Sequence, residues 1–411
     1  MRTRFAWAGC VLALIVCSAS HAAEWVQTWG AAPLPPSPAA GPFPATPGFE
    51  NQTIRQTIRV SLGGRRIRIR FTNEYGTKPL TVGAARIALS DDKGNIQSGS
   101  ERQVLFSGQP TASIPAGAPL LSDPIDLAVK PLTSLSISLY VPEATGQCTC
   151  HQSGMQSTWV SDSGDFTSQP FTPTQTLQAR AFLSGVLVEV PRSARAVVVL
   201  GDSISDGIGS TVDGNHRWPD LLANRLDAKG SNAWGVVNMG ISGNQVLSDG
   251  AGQSALTRFD RDVLSTPGIK TMIVFEGVND LGIAFGQMGG PMAAMFKNAG
   301  GAKVSAASMI AGYRQLIARA HAKGVKVIGA TITPYQGAAY YSEEGEGVRQ
   351  AINTWMRTGH EVDGVIDFDA AIRDPNQPLQ IKDGYHFGDH LHGSDAGYDA
   401  MAATIDLALF K

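Results

Sequence analysis

The chain has 411 residues, of which 43% are hydrophobic and 17% charged, and its formal net charge is −2. That length supports two ordinary cores, and the composition is that of a folded protein rather than a disordered or fibrous one. The near-neutral balance gives no basic footprint for nucleic acid and no strong pull toward an anionic membrane.

In chain order, the first segment reads as an export signal. Arg2 and Arg4 make a positive start, Phe5 to Val16 is an apolar run, and Ser20-His21-Ala22-Ala23 offers small residues for cleavage. The run is too short for a stable membrane span. Residues 1–23 are therefore expected to be a signal peptide and the mature protein to be periplasmic or secreted. Cleavage there removes Cys10 and Cys17 and leaves Cys148 and Cys150. These two remain as thiols or close a small local bridge. Cys148-Thr149-Cys150-His151 has no second thiol cluster to complete a metal site, so no metal or other cofactor is implied.

From Trp25 to about Pro191 short alternating runs are separated by turn residues. Ile58, Val60 and Leu62 alternate with polar positions, Gly63-Gly64 predicts a hairpin turn, and Ile67, Ile69 and Phe71 resume the alternation. Leu135, Ile137 and Leu139 alternate with serines, and Phe182 to Val190 makes a further strand. One-sided strands of this kind bury their apolar faces in an antiparallel β-sandwich, so residues 24–191 are assigned to a jelly-roll-like accessory domain. Arg66, Arg68 and Arg70 fit a solvated sheet face better than a site for an acidic ligand. The proline-rich stretch from Pro33 to Pro47 reads as a loop or an extended cover over the sandwich.

From residue 192 to 411 strands and helices alternate. Strands are expected at Ala196–Leu200, Gly235–Met239, Thr271–Phe275, Val325–Ile332 and Val365–Phe368. Helices are expected at Trp218–Lys229, Ser305–Lys323, Val348–Arg357 and Asp395–Leu409. Apolar strands separated by amphipathic helices predict a parallel sheet in a three-layer α/β domain, with its site beyond the carboxyl ends of the strands. Gly282 to Lys303, rich in glycine, alanine and methionine, reads either as an apolar lid or as a plain surface loop.

The chemistry falls at those strand ends. Ser203 follows the first strand in Gly201-Asp202-Ser203-Ile204, where its hydroxyl and its own N–H face the site. Serine needs a base, and Asp389-His390-Leu391-His392 supplies one. An aspartate three residues before a histidine can curl back onto Nδ1–H and leave Nε2 facing the serine. His386 and His390 are rivals for the base role, but only His392 has the aspartate at that spacing. Asn238 to Gly243 follows the second strand, with Gly243 offering an N–H that no side chain obstructs. Gly277-Val278-Asn279-Asp280 follows the third, with the Asn279 amide as a further donor.

Across about residues 195 to 411 these four blocks resemble, in order, those of the SGNH hydrolases, the GDSL esterase superfamily. The resemblance implies a flavodoxin-like α/β/α fold and metal-free ester hydrolysis. Ser203 would be the nucleophile, His392 and Asp389 would complete the triad, and Ser203, Gly243 and Asn279 would form the oxyanion hole. The first block carries Ile204 where the family name implies leucine. The β-rich half lies outside the resemblance.

The family spans carbohydrate deacetylases, aryl esterases, thioesterases and lysophospholipases. An exported enzyme with a sandwich partner points first to small acyl or aroyl esters of carbohydrates or related extracellular material. Lipid esters or lysophospholipids come second. The rival of another class is a non-catalytic carbohydrate-binding protein.

Overall fold

The alternating runs of the first half pair into two facing antiparallel sheets. The computed structural model describes residues 24–37, 45–91, 93–190, 193–230, 233–286 and 303–411, so the expected signal peptide lies outside the described residues. The larger sheet has six strands, in the spatial order 175–177, 158–163, 52–59, 134–141, 84–90 and 102–103. The smaller has four, in the order 24–30, 183–190, 67–72 and 119–121. Ile54 stands opposite Leu139 and Ile58 opposite Leu135. Alternate residues therefore share one inner face, where Ile54, Ile58, Ile69, Phe71, Ile137 and Val186 are fully buried.

Gly63-Gly64 does not turn the expected hairpin. Strand Gln52–Arg59 belongs to the six-stranded sheet and Ile67–Thr72 to the four-stranded one, so the chain crosses between sheets here. Glycine is needed for proximity, not for a turn. A Cβ on Gly63 would sit 2.6 Å from the Val129 carbonyl oxygen, and one on Gly64 would sit 2.7 Å from that of Glu189.

The arginine face is partnered. Arg66 Nε bonds Glu189 at 2.6 Å, Arg68 lies 4.9 Å over the Trp25 ring, and Arg70 donates to Ser184 Oγ at 2.8 Å. Cys148 and Cys150, left open between thiols and a bridge, form a disulfide. The described part of the proline-rich stretch leans on the second half: Leu34 to Ser37 share a crevice with Asp206, Ser242 and Gly250 to Gly252.

In the second half, β1 (Arg195–Gly201), β2 (Trp234–Gly240), β3 (Ile269–Phe275), β4 (Lys326–Ala330) and β5 (Gly364–Ile366) form one parallel sheet. Their order is β2-β1-β3-β4-β5, which is the flavodoxin-like arrangement. Ala196 to Leu200 of β1 are wholly buried, as a strand covered on both faces must be. Helices Trp218–Ala228 and Asp395–Ala403 pack together on one side of the sheet, and Ala306–His321 and Glu343–Thr358 pack together on the other. The last of these begins one turn before the expected Val348, because Ser342 caps it, its Oγ accepting from the Gly345 N–H at 3.1 Å. The closing helix ends at Ala403, short of the expected Leu409, and a separate turn covers Leu407–Phe410. Among the described residues no helix is long and apolar enough to cross a membrane.

The two halves share one hydrophobic cluster. Ser61 Oγ accepts from the Val236 N–H at 2.8 Å and donates to its carbonyl at 3.1 Å, fixing the sandwich to the edge of β2. Gln156 donates to Asn215 at 2.6 Å, and Ser157 bonds Asp213 through both N–H and Oγ.

Candidate active site

Because the chain runs outward from β1 to β2 and then crosses back over β1 to β3 on its other side, a crevice opens at the carboxyl ends of these three strands. Ser203 begins a single helical turn, Ser203–Asp206, directly after β1. Asp202 caps that turn by accepting the Ile204 N–H at 3.0 Å. The serine is 5% exposed, so its hydroxyl meets solvent only through the crevice.

Asp389 to His392 form a tight loop before the closing helix. One Asp389 oxygen accepts the N–H groups of Leu391 and His392, each at 3.0 Å, and the other meets His392 Nδ1 at 2.6 Å. The opposite ring nitrogen, Nε2, lies 2.7 Å from Ser203 Oγ. With Nδ1–H donated to the carboxylate, Nε2 is the acceptor for the serine hydroxyl. Burial pushes the Asp389 pKa up, but the hydrogen bond and charge of His392 and the two backbone donors outweigh it and hold the carboxyl below its usual range. Asp389 is thus an anion facing the imidazole.

Neither rival histidine is bonded to Ser203 among the described residues. His386 Nδ1 accepts from the N–H groups of Gly388 and His390, and its ring lies 4.3 Å from that of His390. Burial, and then the neighbouring His390, lower the His386 pKa. His390 lines the same cavity as Ser203 but is not bonded to it.

The donors expected from the strand ends also reach this cavity. Gly243 has φ +80°, a conformation in which a side chain is strained. Asn279 lies in the first turn of helix Val278–Phe285, a helix that the glycines on either side conceal in the sequence. Its Nδ2 donates to the Asn244 carbonyl at 2.9 Å, and its Oδ1 accepts from the Tyr340 hydroxyl at 3.3 Å. These two bonds fix which way the amide points and leave one Nδ2–H for the cavity. Among the described residues neither the Ser203 N–H nor the Gly243 N–H has a protein acceptor. Ser203, Gly243, Asn279, Asp389 and His392 line one cavity of about 590 Å³, walled by Ile208, Ala338, Ala339, Tyr340 and Leu391.

Several supporting residues escape a reading of sequence alone. Arg258, fully buried, donates to the carbonyls of Met239 at 2.5 Å and Gly201 at 3.0 Å and to Asn244 Oδ1 at 2.9 Å. It ties the ends of β1 and β2 to the turn that holds Gly243. Its only signal was an arginine on the apolar side of a short segment, Ala255–Phe259. Asp280 accepts the N–H groups of Val246 at 2.8 Å and Leu247 at 3.1 Å, bracing the next stretch of the same loop. Of Gly282 to Lys303, the first residues close helix Val278–Phe285, and residues 287–302 lie outside the described residues.

Residues 199–400 match the GDSL-like Lipase/Acylhydrolase family. Similar solved structures include a G-D-S-L-family lipolytic protein from Desulfitobacterium hafniense DCB-2. It is 21% identical over 51% of this chain and 96% of its own, with a TM-score of 0.37. An acetyl xylan esterase is likewise 21% identical, over 51% and 96%, with a TM-score of 0.36. A carbohydrate acetylesterase from Sinorhizobium meliloti is 16% identical, over 51% and 94%, with a TM-score of 0.37. No curated relative matches the chain. The blocks at the ends of β1, β2 and β3 and the Asp389–His392 loop fall within the matched residues, and this second half of the chain is a GDSL-like lipase/acylhydrolase domain with that family's fold, which makes the chain a hydrolase of carboxylic esters.

Proposed function

We propose that the chain is an exported serine esterase in which Ser203 is the nucleophile, His392 its base and Asp389 the group that orients the base. His392 Nε2 takes the Ser203 proton as Oγ attacks the ester carbonyl carbon. The N–H groups of Ser203 and Gly243 and the Asn279 amide hold the oxygen that becomes negative. His392 then gives its proton to the leaving alcohol, and the acyl-enzyme forms. Water, deprotonated by the same ring, releases the acid. The observation that carries this reading is the unbroken hydrogen-bond line from Asp389 through His392 to Ser203, opening on a cavity that Gly243 and Asn279 also line. Export rests on the N-terminal sequence. The test is Ser203→Ala: hydrolysis of short p-nitrophenyl esters should fall to background while the melting temperature stays within a few degrees. Comparable activity in a folded variant overturns the assignment.

The substrate class we infer is a small acyl or aroyl ester of carbohydrate or related extracellular material. It is supported by the pairing of an exported hydrolase with a sandwich, and the similar acetylesterases bear on it only as company. A second reading, lipid esters, is favoured by the apolar wall of Ile208, Ala338, Ala339 and Leu391. A series of esters of increasing chain length separates the two. A kcat/KM that peaks at acetyl or at an aroyl group supports the first, and a maximum at long chains replaces it with the second.

A further inference from the structure

The sandwich reaches into the crevice through residues 150–153. Ser153 lines the cavity that holds Ser203 and His392. His151, two positions earlier, is 4% exposed and bonded at both ring nitrogens. Nδ1 lies 3.0 Å from the Ala32 carbonyl oxygen, and Nε2 lies 2.8 Å from Asp206 Oδ1. Asp206 is 2% exposed and closes the helical turn that Ser203 begins. Its other oxygen accepts from Ser242, at 3.2 Å from the N–H and 2.8 Å from Oγ. Gly243 is the next residue.

We propose that His151 is a positioning residue for ester hydrolysis, acting through Asp206 to hold the Ser242–Gly243 turn where the Gly243 N–H meets the oxyanion; this rests on the serine-esterase reading above. Asp206 alone would be a buried carboxylate with donors on one oxygen only. A group in that state swings or draws in water, because an unpaired buried charge is costly. The imidazole supplies the second oxygen with a donor and pins the carboxylate between two walls. The Ala32 carbonyl can only accept, so Nδ1 carries a hydrogen. Nε2 faces a carboxylate, so the pair also shares a proton on that side. The spacing from the nucleophile to the donor turn is therefore set by a side chain from outside the hydrolase fold. Donor placement matters because removing an oxyanion donor, or shifting it by about 1 Å, costs on the order of 10²-fold in rate.

The test uses the full-length enzyme. First, wild type must hydrolyse short p-nitrophenyl esters and Ser203→Ala must not; failure at this step removes the esterase reading itself. His151→Leu should then lower kcat by roughly ten- to a hundred-fold with KM changed less than about threefold, since the turn acts on the transition state rather than on substrate binding. With His151 in place, Asp206→Asn should keep most of the wild-type rate. Its amide donates to a neutral His151 Nε2 while its oxygen still accepts from Ser242, whereas Asp206→Leu should not keep that rate. The double variant His151→Leu/Ser242→Ala should lose far less than the product of the two single losses, because both act through one carboxylate. Should His151→Leu not fold, His151→Gln, which keeps a donor for Asp206, is tested on its own: a rate within about fivefold of wild type is expected, and a loss as large as that of Asp206→Leu overturns the proposal. Wild-type kcat in folded His151→Leu, equal losses in Asp206→Asn and Asp206→Leu, or fully multiplicative losses in the double variant each overturn the proposal.

Discussion

Asn279 illustrates how a donor is aimed by its neighbours. A primary amide can flip at little cost, and only the outward orientation offers a hydrogen to the oxyanion of the proposed mechanism. The Asn244 carbonyl accepts one amide hydrogen and cannot donate, so the flipped form would set oxygen against oxygen there and forfeit the bond, while the Tyr340 hydroxyl, which donates to the amide oxygen, could turn to suit either form. Asn279→Ala should therefore reduce kcat by about 10²-fold or more, with KM little changed, as for loss of one preorganised oxyanion donor. Steady-state kinetics on a short ester measures this, and a loss confined to KM would place Asn279 in substrate binding instead. The five residues singled out from sequence line one cavity, and four of them stood out through their place directly after an apolar strand or at a fixed spacing within one loop. Gly243 was legible through its lack of a side chain. His151 and Asp206 were not, since neither spacing nor periodicity links positions 55 residues apart.

At the scale of elements, the ends of β1 and β3 carry an unusual load of buried acid. Asp202 and Asp280 are both raised from 3.8 to about 7, in each case mainly by burial and against the pull of backbone donors. Burial also raises Glu276, with Asp202 adding to the effect and Arg258 opposing it. A carboxyl raised on folding binds its proton more tightly in the native state. Its contribution to stability is fully present below about pH 3.8 and is lost as the pH rises through about 7. Asp389 has the opposite sign, and its contribution is lost only as the pH falls below the usual carboxylate range. The melting temperature should therefore fall between about pH 4 and about pH 7, and Asp202→Asn, which keeps the cap on Ile204, should flatten that fall by about a third to a half. Calorimetry across the pH range checks it, and an unchanged slope in the variant would assign the fall to other groups. Strand positions in this half were legible because double burial demands unbroken apolar runs. The Gly63-Gly64 crossing was not: strands in facing sheets show the same alternation as strands in one hairpin, and the glycines were chosen by the approach of Val129 and Glu189.

Across the whole molecule, the sandwich and the hydrolase fold are joined by more than a linker. Their apolar residues form one continuous cluster, and the shared polar contacts run from Ser61 at the edge of β2 through Gln156 and Ser157 to His151 beside the Ser203–Asp206 turn. The alternation of the first half foretold a sandwich but not where it would rest, because the contacts that seat it depend on the assembled surface of the second half. Val26, Trp29 and Ala31 are nearly inaccessible to solvent, and a Cβ on Gly30 would strike Val237 and Met239. The first strand is thus as much a wall of one half as of the other. Evolution cannot trade this sandwich between hydrolases like an interchangeable cassette: a recombination breakpoint near residue 192 would expose a greasy scar on each fragment, so the pair is expected to have been inherited, and to diversify, as a single heritable unit.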